Sequence, residues 1–183
     1  EAYILFKEYL PNVVVMDLSL PGIGGLETIS RIRKHSVNAK ILVFSMHKNP
    51  AFALQATQAG ARGYITKVSQ PDVLVRAISD VYEGQIALSA DIAQGLAIEK
   101  LAGNNIPLGE LTVREFEILR MLVEPRSTID IAQALNITSK TVSNCHYLIK
   151  KKLGAKTDIE LTHLAIKMNI LNPLQISDLI TSI

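Results

Sequence analysis

Val13-Val14-Val15-Met16-Asp17-Leu18-Ser19-Leu20-Pro21-Gly22 is the stretch on which the reading of this chain turns. The β-branched run closed by Met16 shows no polar alternation, so it describes a strand covered on both faces rather than one half in water. The run ends at a carboxylate, Asp17, and Pro21-Gly22 marks a turn. Beyond the turn, Leu26, Ile29 and Ile32 fall at helical spacing. The same grammar recurs downstream. Ile41-Leu42-Val43-Phe44 ends at Ser45 and is followed by a helical stretch from Pro50 to Ala59. Gly63-Tyr64-Ile65 ends near Lys67, after which Pro71 opens a helix carrying Leu74, Val75, Ile78 and Val81 and stopped at Gly84. Continuous apolar strands alternating with helices predict an α/β unit with a parallel sheet over residues 1–91.

In an open parallel sheet, ligands bind at the carboxyl ends of the strands. Asp17, Ser45 and Lys67 stand at three successive predicted strand ends. Neighbouring strands lie about 4.8 Å apart, so the three side chains are expected to face one crevice. A carboxylate there is a nucleophile toward phosphorus, and a hydroxyl and an ammonium are suited to hold the oxygens of the resulting acyl phosphate. Each residue alone has a plainer reading: Asp17 as a turn residue, Ser45 as a cap, Lys67 as a solvated charge. A phosphohydrolase with an aspartate nucleophile would need a second carboxylate two residues on as general acid, and Ser19 stands there. The chain is therefore read as a non-enzyme.

Residues 1–91 resemble the receiver domain of two-component response regulators. The likeness rests on Val14-Val15-Met16-Asp17-Leu18-Ser19-Leu20-Pro21-Gly22, Gly25-Leu26, Ser45, Gly60-Ala61-Arg62-Gly63-Tyr64-Ile65 and Lys67. It implies a CheY-like, flavodoxin-like fold with Asp17 as phosphoacceptor and a sensor histidine kinase as donor. Ser45 would be the switch hydroxyl, Tyr64 the aromatic that changes rotamer with it, and Lys67 the partner of the phosphoryl oxygens. Mg²⁺ would be held by Asp17 and the backbone carbonyl of Ser19. Receivers begin with a strand ending in an acidic pair that also binds Mg²⁺. Neither pair nor strand is found here, so the receiver is expected to be incomplete at its N-terminus, with the strand before Asp17 as an exposed apolar edge. The chain opens at Glu1 within a helical pattern reaching Tyr9, as a piece of a longer protein would. Gly24 stands where a polar residue is usual, and no proline follows Lys67.

Residues 92–110 read as a linker, in which the segment Gly103-Asn104-Asn105-Ile106-Pro107-Leu108-Gly109 is rich in breakers and a short helix is expected just before it. Residues 111–171 show no strand pattern. Thr112 and Glu115 fit a capping box opening a helix with Phe116, Leu119 and Leu122. Ser127 caps a second helix with Ile131, Ala132 and Leu135. Asn136-Ile137-Thr138 is a tight turn before a long helix to Leu153, and Thr157 with Glu160 predicts a further box before Leu161, Leu164, Ala165 and Met168. Residues 172–183 are an apolar tail.

On a wheel of 3.6 residues per turn, Val142, Cys145, Ile149 and Leu153 share the inner face of the long helix. Lys140, Asn144, Tyr147 and Lys151 share the outer one, flanked by Ser143 and Lys150. Such a face offers groups for base edges and lysines for phosphates, and a helix-turn-helix of this kind enters a major groove. A solvated lysine-rich helix is the plainer alternative.

The stretch is similar to the LuxR-type DNA-binding domain of NarL/FixJ regulators. The matching residues are Leu111-Thr112-Val113-Arg114-Glu115-Phe116-Glu117-Ile118-Leu119, Ile131-Ala132-Gln133-Ala134-Leu135-Asn136-Ile137, Lys140-Thr141-Val142, Ile149, Lys152-Leu153 and Glu160-Leu161. The likeness implies an all-α helix-turn-helix domain with residues 139–153 as recognition helix. Lys140, Thr141, Ser143, Asn144, Tyr147, Lys150, Lys151 and Lys152 are its expected DNA-binding residues. The helix from Thr157 would be the dimer contact, giving a homodimer in the active state. Ser143, Cys145 and Pro125 stand where a basic residue, histidine and glycine are frequent.

The bulk numbers agree. The chain has 183 residues, 48% hydrophobic and 20% charged, and so suits two small globular domains. Net charge is only +2, yet residues 139–156 hold five lysines and no acid, a local basic segment on an otherwise acidic chain. No apolar run suffices to cross a bilayer, and no secretory signal is visible. With a single cysteine, Cys145, the expected setting is the reducing cytoplasm. His146 and His163 lack ligand partners at metal spacing. Taken together, the chain reads as a DNA-binding response regulator of a two-component phosphorelay. The competing class is a phosphorylation-independent DNA-binding or interaction module with a degenerate receiver.

Overall fold

The structure is a computed structural model and describes residues 1–19, 24–101, 107–124, 126–168 and 170. The Pro21-Gly22 turn, linker residues 103–106, Pro125 and the 172–183 tail lie outside the described residues. The chain divides into two compact units, Glu1–Gly109 and Glu110–Ile183.

In the first unit, helix α1 (Ala2–Tyr9) precedes β1 (Val14–Met16), α2 (Gly25–His35), β2 (Ile41–Ser45), α3 (Pro50–Ala59), β3 (Gly63–Thr66), α4 (Pro71–Tyr82), β4 (Ala87–Leu88) and α5 (Ala90–Leu101). The strands form one parallel sheet in the order β1-β2-β3-β4. A two-residue strand such as β4 has no run long enough to register as a pattern, and the sequence reading missed it. Strand β1 is an edge among the described strands, and Val15 on it is 46% exposed. Register sets the phase of the pleat: Val43 pairs with Tyr64 and Ser45 with Thr66, while Leu42 pairs with Gly63 and Phe44 with Ile65. Leu42, Phe44 and Ile65 pack with Ala77, Val81 and Ala87 against α4. By alternation Val43, Ser45 and Tyr64 turn to the opposite face.

Local signals explain the helix limits. Asn49 caps α3, its side chain accepting from the Ala51 amide at 2.8 Å, and Pro50 supplies the first helical residue. Helix α4 packs through Leu74, Ala77, Ile78 and Val81, spaced as one stripe. Val75 is 67% exposed because it sits about a quarter-turn off that stripe. The helix expected to be short before residue 103 is α5, with 12 residues. Further on, the buried Gln55 amide of α3 donates to the Leu108 carbonyl at 2.6 Å, and Gln58 donates to the Gly109 carbonyl at 3.0 Å.

The second unit contains α6 (Val113–Leu122), α7 (Thr128–Leu135), α8 (Ser139–Leu153) and α9 (Asp158–Lys167), after a 3-10 turn over Pro107–Glu110. Both units of the Thr112/Glu115 capping box are made, and Ser127 with Asp130 closes a second one. Asn136 ends α7 at φ 52, and Thr138 caps α8 by accepting from the Thr141 amide. The box at Thr157 is only half made. Thr157 accepts from the Glu160 amide, but the Glu160 carboxylate reaches back to the Lys156 amide instead. Phe116, Ile118, Leu119, Ile131, Leu135, Val142, Ile149 and Leu161 form the core of this unit. Among the described residues, no helix is long and apolar enough to cross a membrane.

Candidate functional site

Asp17 directly follows β1, and the pleat puts it in phase with Phe44 on β2 and, one strand further, with Lys67. The Lys67 ammonium lies 2.7 Å from Asp17 Oδ2 and 5.8 Å from the centre of the Phe44 ring. Asp17 Oδ1 accepts from the Ser19 amide at 3.0 Å. Burial works to raise the Asp17 carboxyl, but the Lys67 and Ser19 hydrogen bonds and the charges of Lys67 and His47 outweigh it and hold the group below its ordinary value. The side chain therefore stays an ionised nucleophile, paired yet about 30% exposed and open to a donor.

Two glycines shape the floor under it. A Cβ on Gly25, the first residue of α2, would lie 2.6 Å from the Asp17 carbonyl oxygen and 2.7 Å from the Leu18 Cα. Helix α2 can approach the Asp17 backbone this closely only because Gly25 has no side chain. Gly24, which caps α2, has φ 78, a conformation that glycine adopts without strain; this gives its departure from the usual polar residue a physical reason.

Ser45 belongs to the other phase of the pleat. It is fully buried, and its hydroxyl accepts from the His47 amide at 3.3 Å. Tyr64, also buried, donates its hydroxyl to the His47 carbonyl at 2.9 Å. The two residues read as a switch pair thus meet at one residue the sequence reading did not single out. The His47 ring in turn stacks on Phe52 of α3, centroids 4.1 Å apart and planes within 4°. A histidine in a loop has no periodic signature, which is why it escaped notice. A second missed group sits beside Lys67. The buried Thr66 hydroxyl donates to Asp91 Oδ2 at 3.0 Å and contacts the Ser69 hydroxyl, linking the end of β3 to the first turn of α5. Burial acts to raise the Asp91 carboxyl, and the Ser89 and Thr66 hydrogen bonds bring it below its ordinary value.

The described residues do not form a magnesium site on their own. Mg²⁺ prefers near-octahedral oxygen coordination, commonly from one or two carboxylates and water. Here Asp17 is the single carboxylate, with Oδ2 on Lys67 and Oδ1 on the Ser19 amide, and no group of three His, Cys, Asp or Glu residues gathers among the described residues.

In the second unit, α8 follows the turn at Asn136 and buries Val142 and Ile149. Cys145 and Leu153 of the expected inner face are half-buried, and burial followed by the charge of Glu115 pushes the Cys145 thiol up. Lys140, Thr141, Ser143, Asn144, Tyr147 and Lys151 are exposed, Tyr147 by 66%. Lys150 and His146 both reach Asp158 Oδ1, at 2.7 and 2.9 Å. Lys152, about 100° round the helix from Lys151 and at the edge of the inner face beside Cys145, reaches α6, where its ammonium lies 2.6 Å from Glu115 Oε2.

Residues 1–79 match the family model of the response regulator receiver domain, and residues 109–165 match that of the bacterial regulatory proteins of the luxR family. The response regulator UvrY of Escherichia coli K12 is 37% identical over 163 residues, covering 88% of this chain and 75% of that protein. This chain belongs to the NarL/FixJ family of response regulators. A second relative, the transcriptional activator protein ExaE of Pseudomonas putida, is 40% identical over 174 residues, which span 93% of the regulator and 81% of ExaE. Among solved structures, RcsB from Salmonella enterica serovar Typhimurium bound to promoter rprA with phosphomimetic BeF3- matches with a TM-score of 0.68 at 26% identity, over 88% of the regulator and 79% of RcsB. As a NarL/FixJ response regulator, the protein carries a CheY-like receiver followed by a LuxR-type helix-turn-helix domain and acts in two-component control of transcription.

Proposed function

We propose that Asp17 is the phosphoacceptor and that the outer face of α8 reads DNA. The observation that carries the first half is the Asp17–Lys67 pair at 2.7 Å past the ends of β1 and β3, with Ser45 ending the strand between them. One Asp17 carboxylate oxygen attacks the phosphorus of a phosphohistidine on the sensor kinase. An O–P bond forms as the N–P bond breaks, and the electron pair returns to the leaving imidazole. Lys67 follows the negative charge onto a phosphoryl oxygen. The Ser45 hydroxyl, now accepting from His47, turns to donate to another. That movement breaks the contact to the His47 amide, while Tyr64 holds the His47 carbonyl in the next peptide group, so Tyr64 and the Phe52-stacked His47 move together. In this reading the chain accepts a phosphoryl group and catalyses no turnover of its own. Any Mg²⁺ would draw on Asp17, the Ser19 carbonyl and water.

The second half rests on the exposed set Lys140, Thr141, Ser143, Asn144, Tyr147 and Lys151 on one side of α8. The lysines supply phosphate contacts and the amide, hydroxyl and phenol groups supply base-edge contacts. RcsB, the structural neighbour, is bound to a promoter in its complex, which supports the same partner here. Phosphorylation favours a homodimer through α9, where Ile159 is 70% exposed, and the dimer binds a two-part site. Residues 1–91, 92–110, 111–171 and 172–183 would serve as receiver, linker, DNA-binding domain and tail, in the cytoplasm.

Incubation of the chain with acetyl phosphate tests the phosphoacceptor. The expected product gains the mass of one phosphoryl group, loses it to hydroxylamine, and does not form with Asp17→Asn. A stable, hydroxylamine-resistant adduct, or one that persists in Asp17→Asn, would contradict the assignment.

A further inference from the structure

Of the lysines near the end of α8, Lys152 is the one that pairs with a buried carboxylate of another helix, its own side chain remaining 33% exposed. Its ammonium donates to Glu115 Oε2 at 2.6 Å and to the Glu110 carbonyl at 3.2 Å. Glu115 is buried, its side chain 8% exposed, and the same Oε2 accepts from the Thr112 amide and hydroxyl at 2.8 and 3.0 Å. One carboxylate oxygen therefore closes the first turn of α6 and anchors the last turn of α8. The preceding residue, Arg114, donates to the Leu135 carbonyl at 2.9 Å, at the C-terminal end of α7. Adjacent residues of α6 thus hold the helix-turn-helix on both sides of its turn. By contrast, no hydrogen bond or ion pair engages the side chains of Lys140 or Lys151 among the described residues.

We propose that the Lys152–Glu115 pair is a brace that sets the tilt of α8 on α6, so that Lys152 serves DNA recognition as a positioning residue and touches no phosphate. The proposal rests on the reading of α8 as the DNA-binding helix. Lever length gives it consequence. At 1.5 Å per residue, Lys140 lies about 18 Å along the helix from Lys152, so a tilt of roughly 5° at the brace moves the reading end by about 1.5 Å. Hydrogen bonds to base edges tolerate only a few tenths of an ångström around 2.9 Å. A loosened brace therefore weakens base contacts without removing a phosphate contact. Phosphate contacts are counted by the salt dependence of binding, whose logarithmic slope falls by about one for each lysine lost.

The experiment uses the full chain and a duplex that the wild-type chain selects from a randomised pool. Affinity is measured across salt concentrations for Lys151→Met, Lys152→Met, Glu115→Gln and the double variant Glu115→Gln/Lys152→Met. Methionine keeps the apolar stem, and glutamine keeps an acceptor for Thr112. Lys151→Met is expected to lower the salt slope by about one. Lys152→Met is expected to weaken binding about ten-fold with the slope unchanged, and Glu115→Gln to do the same. The double variant should lose no more than either single one, because both break the same contact. If Lys152→Met alone fails to fold, the double variant, which buries no unpaired charge, supplies the slope. A slope reduced by about one in either Lys152 variant, or tighter binding by Glu115→Gln, would overturn the brace and make Lys152 a phosphate contact. Failure of the wild-type chain to select any duplex would instead remove the DNA reading on which the brace depends.

Discussion

Replacing Gly25 by alanine drives a methyl group into the backbone beneath Asp17. The added Cβ would lie 2.6 Å from the Asp17 carbonyl oxygen, 2.7 Å from the Leu18 Cα and 3.1 Å from the Leu18 Cδ2, where ordinary contact begins at 3.4 Å. The two closest atoms are backbone, so no rotamer change relieves them. Either the first turn of α2 backs away or the Asp17–Leu18 segment shifts, by several tenths of an ångström. Overpacking of this kind costs about 1–3 kcal/mol. Alanine returns about 0.4–1 kcal/mol by restricting the unfolded chain, which leaves a net loss of about 1–2 kcal/mol. For a unit of this size that corresponds to a fall in Tm of roughly 5–15 °C. Because the displaced atoms carry Asp17, phosphoryl transfer from acetyl phosphate should slow as well, at temperatures where the variant remains folded. Calorimetry of the full chain reads the first effect and mass spectrometry of the acyl phosphate the second. A Gly25→Ala variant that melts at or above the wild type and is phosphorylated at the wild-type rate would refute the close-approach reasoning.

Tyr64→Phe removes the donor to the His47 carbonyl without touching Asp17 or Lys67. It should cost about 1 kcal/mol in thermal or urea unfolding. It should also keep acyl-phosphate formation while abolishing any rise in DNA affinity that acetyl phosphate produces in the wild type. The Asp17 carboxyl, held below its ordinary value, contributes stability that is present above the unfolded-state value and is lost as pH falls through the lower folded-state value. Urea unfolding between neutral pH and pH 3 should therefore show the advantage of wild type over Asp17→Asn shrinking toward the acid end, and an advantage that grows with acid would contradict the Lys67 pairing.

The alternation of strand and helix in residues 13–84 was plain in the sequence because each strand, the half-exposed β1 included, is a short apolar run and each helix has a proline, glycine or polar residue at an end. The meeting of Asp17 with Lys67 was legible for the same reason: a residue just past a strand end has a nearly fixed place in a parallel sheet. The placement of Ser45 was legible only in part. It stands at the expected strand end, but in the opposite phase of the pleat, and its hydroxyl sits on His47 rather than beside Asp17. Phase depends on register across strands, which a single strand's composition does not encode. The helical angle of Lys152 sets it apart from Lys151, but nothing local says which carboxylate, here one 37 residues away, its ammonium meets. Contacts of that range are a property of packing, and no local pattern announces them.

Selection of duplexes from a randomised pool by the full chain tests the DNA-reading face of α8 most directly. Wild type should enrich a two-part symmetric motif, and both Lys140→Ala and Asn144→Ala should lose the enrichment while retaining the wild-type melting profile. No enrichment above salt-sensitive background binding by wild type, or an unchanged motif in both variants, would contradict the assignment of that face to DNA.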